Sequence, residues 1–331
     1  MVRVVVARAP TRLDFGGGWT DVPPYPEREG GAVCNVAIAR YATATVTAHD
    51  HTAVHTATTH GADDDLIRAA LRRSGATHTE VTLSSDFPLA AGLGGSSAAG
   101  VALAGALAAL AGRPLRPLDL AALSRDTEVT ELGLAGGYQD HYAAAFGGAL
   151  LLTFGERVGV EQIQLSAQQR HELARRGVLV YTGESRISSA TITAVRDAYL
   201  AGEQRVVRAL AGMKALAFQM AAALRIGDFD SLGGLTGDQW QQQRALHPSI
   251  TTPRIDAIVA TAARAGALGT KALGASAGGC VLAFAAKGRE DELVSALAPL
   301  GKRLVYSIDT NGFAMMTNVM SDNSAIDAHT P

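Results

Sequence analysis

Cysteine is nearly absent: Cys34 and Cys280 are the two in 331 residues. A disulfide scaffold is therefore excluded, and a reducing cytoplasm is the expected setting. Neither thiol has neighbours that would mark it as a nucleophile. Aromatic residues reach only 5%, so helices are expected to pack on small side chains rather than around aromatic plugs. No run of lysine or arginine exceeds two neighbours and the formal net charge is −2, which leaves no global field for nucleic acid or an anionic membrane. No apolar run reaches the roughly 18 uninterrupted residues of a membrane span. The opening Met-Val-Arg-Val-Val-Val-Ala reads as a strand, not as a signal peptide. The nine histidines show no ligand spacing, so a structural zinc is not expected. A Walker sequence with its phosphate-binding lysine is also missing.

Glycine, by contrast, is abundant, with 36 residues gathered into clusters. The most telling is Gly92-Leu93-Gly94-Gly95-Ser96-Ser97, which leads straight into an alanine-rich apolar stretch. Glycine lets a backbone turn its N–H groups toward an anion, and a helix starting near Ser96 would add the positive end of its dipole. A nucleoside triphosphate is the expected guest. Read alone, the same loop is also compatible with a flexible connection capped by Ser96.

Length and the 47% apolar content allow about two domains. Residues 2–7, 31–48 and 79–83 read as strands, and 96–112 and 117–133 as helices. A short helix at 140–146 and a strand at 149–154 close the first half. Beyond a strand at 177–182, the pattern predicts helices over 188–225 and 237–266, strands at 270–274 and 279–285, a helix at 289–299 and a strand at 303–308. Residues 309–331 carry no strong pattern after Met320, and 321–331 are expected to be loose. The alternation suits antiparallel sheets backed by helices, an α+β arrangement.

Two further glycine clusters, Arg12-Leu13-Asp14-Phe15-Gly16-Gly17-Gly18-Trp19-Thr20-Asp21 and Gly274-Ala275-Ser276-Ala277-Gly278-Gly279, frame the first. Together the three resemble the signature motifs of the GHMP kinases, the superfamily of galactokinase, homoserine kinase, mevalonate kinase and phosphomevalonate kinase. The likeness runs from residue 7 to about 320. Residues 12–25, 30–35, 136–148 and 181–188 point to the sugar-kinase branch. The stretch Gln139-Asp140-His141-Tyr142-Ala143-Ala144-Ala145-Phe146-Gly147-Gly148 is similar to heptose 7-phosphate kinases, whereas 17–25 also resembles fucokinases.

That resemblance implies a two-domain α+β fold, with a first domain like ribosomal protein S5 domain 2 over 1–168 and a ferredoxin-like second domain over 169–331. It implies ATP as donor, held by Gly92, Leu93, Gly94, Gly95, Ser96 and Ser97, and Mg2+ on Ser97 and Glu128, with Glu131 as the competing carboxylate. Asp140 is implied as the group facing the acceptor hydroxyl, paired with Arg12. Asp21, Thr20 and Gly137 are implied at the sugar. Arg186 and Ser188 would grip a phosphate already on it. The expected reaction is phosphorylation of the anomeric hydroxyl of a heptose 7-phosphate, with a free-sugar 1-kinase or a non-catalytic sugar sensor as alternatives. A small-molecule partner, a cytoplasmic location and a monomer or homodimer complete the expectation. The third cluster departs from the family's glycine run at Ser276 and Ala277, which predicts a stiffer loop.

Overall fold

The structure is a computed structural model and describes residues 2–49, 62–184 and 189–321. Its first half contains β1 (Val2–Gly16), α1 (Tyr25–Glu29), β2 (Gly31–His49), α2 (Ala62–Ser74), β3 (Thr79–Ser85), α3 (Gly95–Leu110), α4 (Pro117–Asp126), α5 (Gln139–Phe146), β4 (Ala149–Phe154), β5 (Gly159–Ile163) and α6 (Ala167–Arg176). The second half adds β6 (Gly177–Tyr181), α7 (Ser189–Leu200), α8 (Gln204–Ile226), α9 (Phe229–Leu246), α10 (Pro253–Arg264), β7 (Ala267–Ala272), β8 (Cys280–Ala285), α11 (Glu290–Leu297), β9 (Lys302–Arg303) and β10 (Ala314–Ser321).

Two sheets organise these elements in an α+β fold. The first has the order β10-β1-β2-β4-β5 with β3 also on β2, and the second has the order β7-β8-β6-β9. All described pairings are antiparallel. Division of the chain at 168/169 therefore needs a correction, because β10 belongs to the first sheet. It completes the edge of β1, from Val2 opposite Ser321 to Arg8 opposite Ala314. The sequence gives no sign of this strand, since its partner lies some three hundred residues earlier.

Strands β1 and β2 change character along their length, and this change creates the site. From Val5 to Ala9 burial alternates on β1, as a sheet with one covered face requires, but from Ala9 onward every residue of the strand is buried. A register shift between Pro10 and Thr11 marks the transition. Val5, Ala7 and Ala9 pack under α3 with Ala42, Ala44 and Val46. Leu13 and Phe15 join Leu179, Leu282 and Phe284 in a core shared between the two sheets. Polar residues interleaved with Leu13 and Phe15 are thus enclosed by both halves of the molecule.

Helix α3 is apolar on all sides and accordingly buried. Its small residues admit close neighbours: a Cβ on Gly105 would lie 2.2 Å from the Phe313 ring. Several expected elements differ. The helix of 117–133 ends at Asp126 and gives way to a π turn over Thr127–Glu131. The span 188–225 is two helices parted at Gly202, whose φ of 72° no helix accepts. The span 237–266 is also two, because His247 precedes Pro248 and is driven out of helical geometry. Helices α2 and α6 and strand β5 were not anticipated, and the strand of 303–308 reduces to β9. Helix α8 is long and apolar enough to span a bilayer by length and composition, although Arg205, Arg208 and Lys214 interrupt its apolar run. Half of it is buried in this fold.

Candidate active site

Arg12 stands at the enclosed end of β1 with 3% of its surface exposed. Its Nε donates to Asp140 Oδ1 at 2.7 Å and Nη2 donates to Asp140 Oδ2 at 3.0 Å, a two-pronged pairing that fixes the carboxylate plane. Nη1 donates to the carbonyl of Gly92 at 2.6 Å, and the Arg12 amide donates to the Leu93 carbonyl at 3.1 Å. One residue therefore ties the carboxylate of α5 to the glycine loop. The loop then passes directly over that carboxylate: a Cβ on Gly94 would meet Asp140 atoms at 3.0–3.1 Å.

Gly92 and Gly94 hold φ values of 73° and 75°, the left-handed region that suits glycine. Gly94 is the N-cap of α3, so the expectation that Ser96 caps this helix is corrected. Ser96 lies within the first turn instead, and the leading amides of α3 have no carbonyl behind them, the arrangement that receives an anion. Ser96 Oγ donates to Glu128 Oε1 and Ser97 Oγ donates to Glu128 Oε2, each at 3.1 Å. Glu128 stands on the π turn of Thr127–Glu131. Glu131 goes elsewhere, 3.7 Å from Arg73 on α2. Burial pushes the Glu128 pKa up, but His141 and the hydroxyls of Ser96 and Ser97 outweigh it and hold the carboxyl below its ordinary value.

His141 is a buried neighbour of Glu128 and Ser97 that the sequence did not disclose. It is 2% exposed, and its Nε2 lies 3.2 Å from Glu128 Oε2. Only its place beside Asp140 on α5 hinted at this placement.

Asp21 is enclosed on the other side of Asp140. Its Oδ2 accepts from the amides of Tyr138 at 2.8 Å and Gln139 at 3.0 Å, which caps α5. Gly137 must be glycine there, since a Cβ would come within 2.1 Å of that oxygen. Burial raises the Asp21 pKa to about 6; the Gln139 and Tyr138 amides oppose the rise, and the carboxylates of Asp140 and Asp14 add to it. Thr20 needs a correction as a sugar contact. Its hydroxyl is fully buried and braces the loop, donating to Gly17 O or Ala32 O and accepting from the Ala32 amide.

A second ion pair lies behind the first. Lys271, reaching from β7 with no exposed surface, places Nζ 3.1 Å from Asp14 Oδ2 and donates to the Asp14 carbonyl at 2.7 Å. Burial pulls the Lys271 pKa down while the Asp14 carboxylate pulls it up, and the net shift is downward.

The third cluster packs backbone to backbone against the glycine loop. A Cβ on Gly92 would lie 2.7 Å from Leu273 O, and the Cys280 amide donates to Ala91 O at 2.7 Å. Ser276 and Ala277 adopt φ values of 73° and 66°, so non-glycine residues occupy the geometry that glycine favours. Burial pushes the Cys280 thiol up to about 12 and the Cys34 thiol up as well, leaving both protonated. Arg186 and Ser188 lie outside the described residues.

The chain is also similar to known proteins. Residues 60–148 match the GHMP kinases N terminal domain, and residues 220–301 match the GHMP kinases C terminal model. The D-glycero-alpha-D-manno-heptose 7-phosphate kinase of Campylobacter jejuni is 28% identical over 89% of this chain and 94% of its own length. The L-fucokinase/L-fucose-1-P guanylyltransferase of Bacteroides fragilis is 27% identical over 84% of this chain, which spans 34% of that larger protein. Among solved structures, a D-glycero-D-manno-heptose 1-phosphate kinase from Bacteroides thetaiotaomicron superposes with a TM-score of 0.77 at 24% identity, covering 97% of this chain and all of that one. Lactococcus lactis galactokinase complexed with galactose gives 0.75 at 16% identity, with 95% of each chain covered.

Proposed function

The chain belongs to the GHMP kinase family, and from that membership we propose that it transfers the γ-phosphoryl group of ATP to the anomeric hydroxyl of a sugar phosphate, D-glycero-D-manno-heptose 7-phosphate, giving the 1,7-bisphosphate. The observation that carries this reading is the contact between Gly94 and Asp140. It sets the carboxylate against the loop at the end where the transferable phosphate would lie, so acceptor and donor meet over one residue.

In this reading the amides of Gly94, Gly95, Ser96 and Ser97 hold the phosphates at the α3 terminus. Ser97 and Glu128 supply hard oxygens from two elements that already touch, a donor set that fits Mg2+. Such an ion would neutralise phosphate charge, a task for which no Walker lysine is available. Asp140 receives the proton of the anomeric hydroxyl. That oxygen bonds to the γ-phosphorus as the bond from phosphorus to the β-bridging oxygen breaks, and ADP departs. Arg12 fixes the Asp140 plane through two hydrogen bonds and places positive charge beside the reacting centre. Asp21 keeps Oδ1 free of hydrogen bonds to described residues, available to a ring hydroxyl. Arg186 and Ser188 are assigned to the acceptor's existing phosphate on residue type alone.

An ADP-release assay across D-glycero-D-manno-heptose 7-phosphate, fucose, galactose and glucuronate tests the substrate. Turnover of the heptose phosphate is expected; turnover confined to an unphosphorylated sugar would replace this reading with the free-sugar 1-kinase that residues 17–25 and the Bacteroides fragilis relative favour. Asp140→Asn is expected to retain ATP binding while kcat falls about 100- to 10,000-fold. Unchanged turnover would move the proton-accepting role away from Asp140. Absence of turnover in the parent with every sugar, with sugar binding intact, would indicate a sensor.

A further inference from the structure

Beneath Glu128 lies a chain of buried polar groups that the transfer reaction does not itself require. Ser124 Oγ on α4 is 2.9 Å from His141 Nδ1, and His141 Nε2 is 3.2 Å from Glu128 Oε2 and 3.3 Å from Ser97 Oγ. Ser124 and His141 are 1% and 2% exposed, so water cannot substitute for either partner.

The hydrogen count gives this chain a direction. Ser124 has one hydroxyl proton and two acceptors within reach, Nδ1 at 2.9 Å and the Ser97 carbonyl at 3.4 Å. The shorter contact takes it, which leaves Nδ1 as an acceptor and puts the ring proton on Nε2. Nε2–H then donates to Glu128, alongside the hydroxyls of Ser96 and Ser97, and every buried group is satisfied. With the opposite tautomer, Nε2 would present a lone pair to a carboxylate.

Helix α3 shows that room was made for this chain. Gly100 lies inside a helix, where glycine is disfavoured relative to alanine. A Cβ there would stand 2.4 Å from Ser124 Oγ. The serine approaches α3 only because that position carries no side chain.

We propose that His141, held in its Nε2–H form by Ser124, is a positioning residue that sets the Glu128 carboxylate for a divalent cation shared with Ser97 and the nucleotide phosphates. It also couples the two substrates' supports, since His141 follows Asp140 on α5. The proposal rests on the kinase reading only for the identity of the nucleotide.

Calorimetric titration with ATP, once with saturating Mg2+ and once with EDTA, separates the two roles open to His141. His141→Leu is expected to lose about tenfold or more of the affinity gained from Mg2+ while its affinity in EDTA stays close to the parent's. Ser124→Ala should lose a smaller part of that gain. His141→Gln, whose amide N–H can still reach Glu128, should keep most of it. Equal losses with and without Mg2+, or a lowered melting temperature alone, would reduce His141 to core filling and overturn the proposal. If His141→Leu fails to fold, Ser124→Ala and His141→Gln decide: equal Mg2+ dependence in both and in the parent would also overturn it. A parent that binds no ATP would instead sink the nucleotide reading, a separate result.

Discussion

Around the glycine loop the polar groups are mostly backbone amides and hydroxyls on one short run of chain, joined by the carboxylate of Glu128. Around Arg12 they are charged side chains drawn from distant segments: Asp14 and Arg12 from β1, Asp21 from the following loop, Asp140 from α5 and Lys271 from β7. The donor side is thus built largely from one stretch of backbone, whose amides can receive a polyanion. The acceptor side is assembled by tertiary contact: Arg12 pairs with Asp140 and Lys271 with Asp14, while Asp21 is held by the backbone amides of Tyr138 and Gln139. Substitutions on the two sides should therefore fail differently, the acceptor side in folding stability and the donor side in ligand affinity.

Lys271→Met gives the largest expected effect. It leaves the Asp14 carboxylate enclosed without its cation, which costs about 3–5 kcal/mol by the precedent of broken buried pairs. Chemical denaturation measures this, and the double variant Lys271→Met/Asp14→Asn should recover most of the loss. A single variant as stable as the parent would mean that the acceptor side does not depend on internal charge balance.

Asp21→Asn should move stability the other way. The folded pKa of Asp21 is raised from 3.8 to about 6, so its protonated form is favoured by folding. That contribution is complete below about pH 4 and is lost as pH rises through about 6. Asparagine is always neutral and can still accept from Tyr138 and Gln139. The variant should exceed the parent by about 3 kcal/mol at pH 7, with the gap closing toward pH 4. A gap that does not change with pH would remove the electrostatic account.

The smallest effect is expected away from both sides, in the third glycine cluster. Ala277→Gly relieves a left-handed φ of 66° and should stabilise by about 1 kcal/mol, with the KM for ATP unchanged. A large change in that KM would show that the stiffness of this loop matters to the nucleotide.

The same contrast explains what could be read in the chain before its structure. The loop from Gly92 to Ser97 was legible because glycine is required locally, by backbone that must turn through positive φ. Arg12 and Asp140 are 128 positions apart, and only their motif settings suggested that they meet. Lys271 lies 257 residues from Asp14 and carries no local signal, since lysine in a strand ordinarily reads as exposed. His141 was passed over for a related reason: the groups that make it useful, Ser124 and Glu128, sit on another helix and on a π turn that periodicity cannot anticipate. Thr20 was misread because a hydroxyl that braces a loop and one that grips a sugar look alike in sequence.

Strand β10 has a consequence for the order of events at the ribosome. The edge of β1 that it covers stays bare while all of the intervening chain is being made, and an uncovered edge invites pairing with other chains. Until residues 314–321 arrive, the strand that bears Arg12 has a neighbour on one flank only. Cellular yield should consequently be sensitive to lesions in a segment remote from the chemistry, through aggregation of the nascent protein and not through catalysis.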